Sequence, residues 1–370
     1  MKLNSTLYLC LILAAHSSSS GAQDWPSLWK SYVTGFMDNQ VRVIDHDAAD
    51  RTTSEGQAYA MFFALVANDR SRFEGLLKWT ELNLASGDLA AHLPAWSWGR
   101  SKENRWEVLD NNSAADADVW MAYTLLEAGE AWKEPRYTSL GTALAKRIVS
   151  EEVVQLPGLG PALLPAPRGF QNGTSYRLNM SYMPLQLFLG LSHELRDGPW
   201  EQIAAHVPNL LEQSASHGFA SDWTEFTSGS GFTPSQLGSY DAIRVDLWAG
   251  MLNAATPGRD TILKSLSGMA QYLHSNSVPP AKVKKDGTVE DSRGPVGFSA
   301  ALLPYLSAIG EKGLHDAQSA RLRAELNPEN GLYGKPAKYY DQNLALFSLG
   351  WTEHRFWFEP DGSLKLAWKS

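Results

Sequence analysis

The sequence predicts an all-α protein folded as one domain, and three observations carry that expectation. Apolar residues recur at spacings of three and four along most of the chain, the periodicity of amphipathic helices. Alternating apolar and polar runs, which build half-buried strands, are scarce. Gly- and Pro-rich connections separate the helical segments without any shift in composition or any low-complexity linker.

The elements follow in order. Lys2, the apolar run Leu7–Ala15 and a small polar stretch ending at Ala22 read as a secretory signal peptide over residues 1–22, cleaved near Ala22. A buried N-terminal helix is the competing reading. The run is too short to serve as a membrane anchor, so residues 23–370 are expected in the periplasm or secreted. Cys10, the only cysteine, would leave with the signal. Beyond it, Ala58–Ala67, Val119–Ala128 and Leu140–Ile148 carry helical periodicity, and the connections fall at 156–169, 229–238, 278–297 and 327–336. With a mean helix of about 11–12 residues, the chain has room for about a dozen helices. So many helices form a solenoid, a globin-like pile or a closed double ring; no fixed-period repeat is present to favour the solenoid.

Composition narrows the function. The 370 residues include 32 Lys and Arg against 40 Asp and Glu, a net charge of −8, which lacks the basic footprint of a nucleic-acid binder. One cysteine supports neither a disulfide framework nor a Cys-rich zinc site. The chain has no Walker loop, G-x-G-x-x-G, H-E-x-x-H or G-x-S-x-G motif, and its His residues do not cluster at ligand spacing. Asp110–Asp116 lacks the turn glycine and terminal Glu of a calcium loop. Neither cofactor nor metal is expected. What remains is carboxylates among aromatics.

Three carboxylates stand at helix starts. Glu55 follows Thr52-Thr-Ser and heads a stripe with Ala58, Phe62 and Leu65; Asp116 follows Ser113-Ala-Ala; Asp241 follows Ser239-Tyr, with Arg244 one turn along as a possible partner. Each, taken singly, also reads as a helix cap, Glu55 as the acidic member of a capping box. Taken together, three acids at three helix N-termini could converge at one end of a helical ring. Carboxylates about 6.5–9.5 Å apart are what inverting glycoside hydrolysis needs.

The aromatic residues, 14 Trp, 13 Tyr and 13 Phe, divide by context. Trp96, Trp98 and Trp106 lie in a Gly-, Asn- and Ser-containing loop region, and Tyr182, Trp223 and Tyr240 follow other loops. Such rings suit the flat C–H faces of sugars, although core packing is an equal use for any one of them. Trp79, Trp120, Trp132, Trp200 and Trp248 sit in apolar periodic helices and are expected in the core.

The stretch Ala114-Ala-Asp116-Ala-Asp118-Val-Trp-Met-Ala122 resembles the signature of glycoside hydrolase family 8, with Ala115 where that signature carries Ser or Thr. Thr53–Gln57, Trp106–Asp110, Val154–Gly160, Ser239–Val245 and Gly294–Ala300 extend the likeness in order along nearly the whole mature chain, toward the secreted members encoded with bacterial cellulose synthase. The resemblance implies an (α/α)6 barrel that hydrolyses β-1,4-glucan with inversion. It implies Glu55 as general acid, Asp241 as the base that activates water, and Asp116 as the residue holding the sugar beside the scissile bond. It also implies Tyr182, Tyr240 and Arg244 around the base, and Trp96 stacked on a glucose unit. The expected partner is a cellulose chain, and possibly the cellulose synthesis and export machinery. Xylan, mixed-linkage glucan or chitosan as substrate, and a glucan-binding export-assembly role with incidental hydrolysis, are the alternatives.

Overall fold

The computed structural model describes residues 24–369; the expected signal peptide lies outside them. Thirteen α-helices are formed among the described residues. They are α1 (Trp25–Phe36), α2 (Ser54–Val66), α3 (Arg70–Asn83), α4 (Ala115–Trp132), α5 (Pro135–Glu151), α6 (Leu185–Glu194) and α7 (Trp200–Ser214). They continue with α8 (Ala242–Gly250), α9 (Arg259–Ser265), α10 (Ser267–Leu273), α11 (Val296–Ala308), α12 (Lys312–Ala324) and α13 (Tyr339–Thr352).

Burial sorts these helices into two rings. In α2 every residue from Gly56 to Val66 is buried, and α4, α6, α8, α11 and α13 are likewise enclosed on most sides. A helix apolar all round belongs inside. Each of these six packs on the next, α2 on α4, α4 on α6, α6 on α8, α8 on α11, α11 on α13, and α13 returns to α2, so the inner ring closes. The remaining helices bury one stripe only; in α5 it is Tyr137, Gly141, Leu144, Ala145 and Ile148. They pair outside the ring as α1 with α13, α3 with α2, α5 with α4, α7 with α6, α9 with α8 and α12 with α11. The architecture is an (α/α)6 barrel, as the family likeness implies. The single buried stripe expected through Glu55, Ala58, Phe62 and Leu65 is corrected here: α2 lies inside the ring and has no solvent face.

The barrel axis is plugged by aromatics. Phe62, Trp120, Trp248 and Phe347 come from four inner helices with ring centroids as close as 4.9 Å between Trp120 and Phe347 and 5.0 Å between Trp248 and Phe347. Trp79, Trp120, Trp200 and Trp248 are buried as expected, while Trp132 is only partly so. Gly250 lets α8 and α11 touch: a Cβ there would lie 2.1 Å from the backbone nitrogen of Tyr305.

Connections leaving inner helices are short, such as 67–69, 133–134 and 309–311, whereas those entering them are long, such as 84–114, 152–184 and 215–241. All inner N-termini therefore open on one end of the barrel, dressed by long segments. Those segments carry short strands that the sequence did not announce. A hairpin of β2 (Ser97–Arg100) and β3 (Trp106–Asp110) joins β1 (Thr52–Thr53) in one antiparallel sheet. β4 (Val153–Leu156) pairs with β5 (Gly160–Leu163). The next sheet runs β6 (Gln171–Asn172), β7 (Ser175–Leu178), β8 (Thr224–Thr227), β9 (Gly231–Pro234). β10 (Leu237–Gly238), β11 (Lys282–Lys284) and β12 (Val289–Asp291) form a further three-stranded sheet. Strands of two to five residues are too short to show an alternating pattern, and hairpin pairing rather than local preference holds them.

Candidate active site

Three helix starts converge on one guanidinium. Thr53 caps α2, its Oγ1 accepting from Gly56 N at 3.1 Å, so the capping box read for Glu55 is not formed and the Glu55 carboxylate faces inward. Arg244 Nη1 donates to Glu55 Oε2 at 2.5 Å, to Asp116 Oδ2 at 2.9 Å and to the Tyr59 hydroxyl at 3.0 Å. Its Nη2 donates to Asp241 Oδ1 at 2.6 Å, the turn-apart pairing that the sequence suggested. Asp116 does not cap α4 in the usual way: Ala114 stands at the cap, and Asp116 Oδ1 accepts from Ala117 N at 2.8 Å. Asp118, two residues on, turns away into a buried carboxyl pair with Glu152, whose Oε1 accepts from Ser113 Oγ at 2.5 Å.

Exposure within the cluster is uneven. The Arg244 and Asp116 side chains are 3% and 2% exposed, whereas Glu55 and Asp241 keep 20% and 28%. The latter two reach the opening at the barrel end. Three carboxylates share one cation, so full ionisation would leave net negative charge in a poorly solvated place. Burial raises Glu55 to about 7; Arg244 opposes the rise, and the Asp116 and Asp241 charges add to it. Burial also raises Asp116 against the pull of Arg244.

Aromatics flank the cluster on both sides. Trp96 precedes β2, accepts at its carbonyl from Ser54 N at 3.1 Å beside the start of α2, and has the Arg51 guanidinium 5.2 Å from its ring. Trp98 and Trp106, expected in a loop, instead face each other across the β2–β3 hairpin, stacked at 5.0 Å. Arg42 lies 5.1 Å from the Trp98 ring and 5.0 Å from that of Trp106, and Trp79 meets Trp98 edge-on. On the other side the Tyr182 ring lies 5.7 Å from Arg244 Cζ and 6.3 Å from Trp223. Trp223 is stacked on Phe170 at 5.7 Å, with Arg177 4.3 Å from its ring. Tyr240, 45% exposed, stands edge-on to Phe298 and Tyr340 beside Asp241.

Residues the sequence did not single out include Tyr59, Phe170, Arg42 and Arg177. The one available signal was Tyr59 four residues after Glu55, hence on the same side of its helix. Among the described residues no group of three or more His, Cys, Asp and Glu is arranged to hold a metal. A concavity of about 1030 Å³ lies between α1 and the 327–337 segment and holds none of the four clustered charges. The chemistry is therefore located by the convergence of charge, not by volume.

Comparison with known proteins gives the same direction. The sequence profile "Glycosyl hydrolases family 8" matches residues 1–354. The chain is 44% identical over 362 residues to an endoglucanase of Xanthomonas axonopodis pv. citri, covering 96% of this chain and 93% of that one. It is 43% identical to an endoglucanase of Escherichia coli K12, covering 99% and 97% respectively. The crystal structure of an endo-1,4-D-glucanase from Vibrio fischeri superposes with a TM-score of 0.83 at 38% identity, over 93% of this chain and 99% of that one.

Proposed function

The chain belongs to glycosyl hydrolase family 8 and is an endoglucanase, and from that premise we propose that it cleaves internal β-1,4 bonds of cellulose with inversion, using Glu55 as general acid and Asp241 as general base. The observation that carries the assignment is the shared Arg244: of the three carboxylates it binds, only Glu55 and Asp241 are substantially exposed to the opening.

The steps follow from the geometry. Glu55 Oε2 accepts from Arg244, so a proton on the carboxyl resides on Oε1, the oxygen free to face the leaving group. A carboxyl raised to about 7 holds that proton over the acidic range and loses it as the pH rises through neutrality. Glu55 donates it to the glycosidic oxygen as the C–O bond breaks. Asp241 accepts a proton from a water that attacks the anomeric carbon from the opposite face, inverting it. The two carboxylates sit on different nitrogens of one guanidinium, and the inverting mechanism requires a water between them. Asp116, fixed by Arg244 and by Ala117 N, holds the sugar beside the scissile bond. Trp96, Trp98, Trp106, Tyr182, Trp223 and Tyr240 line the path of the chain on either side. Action during cellulose synthesis and export, in the periplasm or outside the cell, is part of the proposal and is supported by the sequence likeness. No helix among the described residues is long and apolar enough to cross a membrane.

Reducing-end release from carboxymethylcellulose, xylan, mixed-linkage glucan and chitosan, for wild type, Glu55→Gln and Asp241→Asn, tests the reading. Cellulosic substrate is expected to be cut fastest and both variants to lose on the order of 10²–10⁴ in rate. Full activity in both variants would refute the assignment, and NMR detection of a β-anomer as first product would refute inversion. Binding of glucan without cleavage of any polymer would favour the export-assembly alternative.

A further inference from the structure

We propose that Asp222 is a positioning residue for this reaction: it caps α8 from another segment of the chain and so leaves the Asp241 carboxylate free to face the attacking water. The inference rests on the reading of Asp241 as the base.

Asp241 stands at the N-cap of α8 with φ −75° and ψ −47°, and its side chain makes no capping bond. An aspartate at a helix start ordinarily folds its carboxylate onto the first amides of its own helix. Doing so here would draw the carboxylate off Arg244 and away from the opening. Asp222 supplies that acceptor instead. Its Oδ1 receives Ser239 N at 2.6 Å, Ala242 N at 3.0 Å and Asp241 N at 3.2 Å. An anion on the first amides of a helix is also favoured by the helix dipole.

The same turn is tied down twice more. Ser239 Oγ donates to the Ala281 carbonyl at 2.7 Å, and the Tyr340 hydroxyl donates to the Tyr240 carbonyl. Asp222 is in turn held by its own amide, which donates to the Leu237 carbonyl at 3.0 Å. Residues 239–242 are thus fixed by the segments before β8 and β11 and by α13, and Arg244 sets only the last torsions of Asp241. With the backbone placed by its neighbours, the base has little freedom to lose when substrate arrives, which is the geometry that rapid water attack requires.

The test is steady-state kinetics on carboxymethylcellulose for Asp222→Ala, Asp222→Asn, Asp241→Asn and the double variant Asp222→Ala/Asp241→Asn. Asp222→Ala is expected to lower kcat on the order of 10²-fold, the cost of about 1 Å of misplacement, with KM changed less than about twofold. Asp222→Asn keeps a carbonyl acceptor for the three amides and is expected to recover about tenfold of that loss. On top of Asp241→Asn, removal of Asp222 is expected to cost less than about threefold, because the residue it positions is gone. Wild-type kcat in Asp222→Ala, a change confined to KM, or an undiminished loss in the double variant would each overturn the proposal. If Asp222→Ala does not fold, Asp222→Glu takes its place: it keeps the charge but moves the acceptor, so it should be slower than Asp222→Asn, and the reverse order overturns the proposal. Full activity in Asp241→Asn alone would instead remove the base assignment on which the proposal stands.

Discussion

Nη1 of Arg244 lies 2.5 Å from Oε2 of Glu55, and the same nitrogen holds Asp116 at 2.9 Å. Replacing Arg244 by Met keeps much of the bulk and removes the charge, leaving Asp116 buried without its cation. Loss of one partner of a buried ion pair costs about 3–5 kcal/mol, so urea unfolding at neutral pH should show a loss of that size. Arg244→Lys should recover part of it, since one ammonium cannot reach all four groups that the guanidinium fork serves. A Met variant as stable as wild type would contradict the account.

With Glu55 as the general acid we propose, the alkaline limb of the kcat/KM profile should report this carboxyl, which is raised to about 7. Activity is expected to fall as pH rises through that value. The Asp116 charge contributes to the rise, so Asp116→Asn should move the limb to lower pH even though it also slows the reaction. A limb that stays in place in Asp116→Asn would argue that the two carboxyls do not interact.

Glu152 is raised to about 8, chiefly by burial, and lies against Asp118, which burial and Glu152 raise well above the carboxylate range. A folded-state value above the unfolded value near 4.5 means that stability is fully present below that pH and is lost as pH climbs toward about 8. The slope is at most about 1.4 kcal/mol per pH unit for each such group. Urea midpoints measured from pH 5 to 9 should therefore fall for wild type and fall less for Glu152→Gln, whose amide oxygen still accepts from Ser113. Glu127, also raised to about 8 by burial, keeps part of the slope in that variant.

Trp106 is 40% exposed and stacked on Trp98 on the hairpin beside the opening. Trp106→Ala should leave the melting temperature nearly unchanged and raise KM for long glucans by roughly 2- to 12-fold, the equivalent of about 0.5–1.5 kcal/mol of stacking. Trp98→Ala, which also strips the edge contact with Trp79, should cost stability as well. Equal KM values for Trp106→Ala and wild type on polymer would remove this ring from the glucan path.

Part of this site is legible in the sequence. Glu55, Asp116 and Asp241 each stand at a helix start among apolar residues, and Arg244 stands one turn after Asp241; local pattern alone exposes both facts. The split of tryptophans into core and rim followed, Trp132 excepted, from whether each lies in an apolar periodic segment. Trp98 and Trp106 read as loop residues in the sequence, because β2 and β3 are short and depend on cross-strand pairing. Tyr59 was hidden inside an apolar run, where a tyrosine reads as core until its hydroxyl is found on Arg244. Asp222 carried no sequence signal, since a cap given to a helix start 19 residues away leaves no local motif.

The sequence by itself determined the helices, the acidic charge, the absence of cysteine chemistry past Cys10, and which carboxylates begin helices, because each follows from residue type and periodicity within a few turns. Only the tertiary structure decided which helices are inner and which outer, and that residues 189 positions apart, Glu55 and Arg244, share a hydrogen bond. The protonation of Glu55 belongs to that second class. Burial and the distances to Arg244, Asp116 and Asp241 set it, and electrostatic energy depends on separation and solvation in space, not on order along the chain.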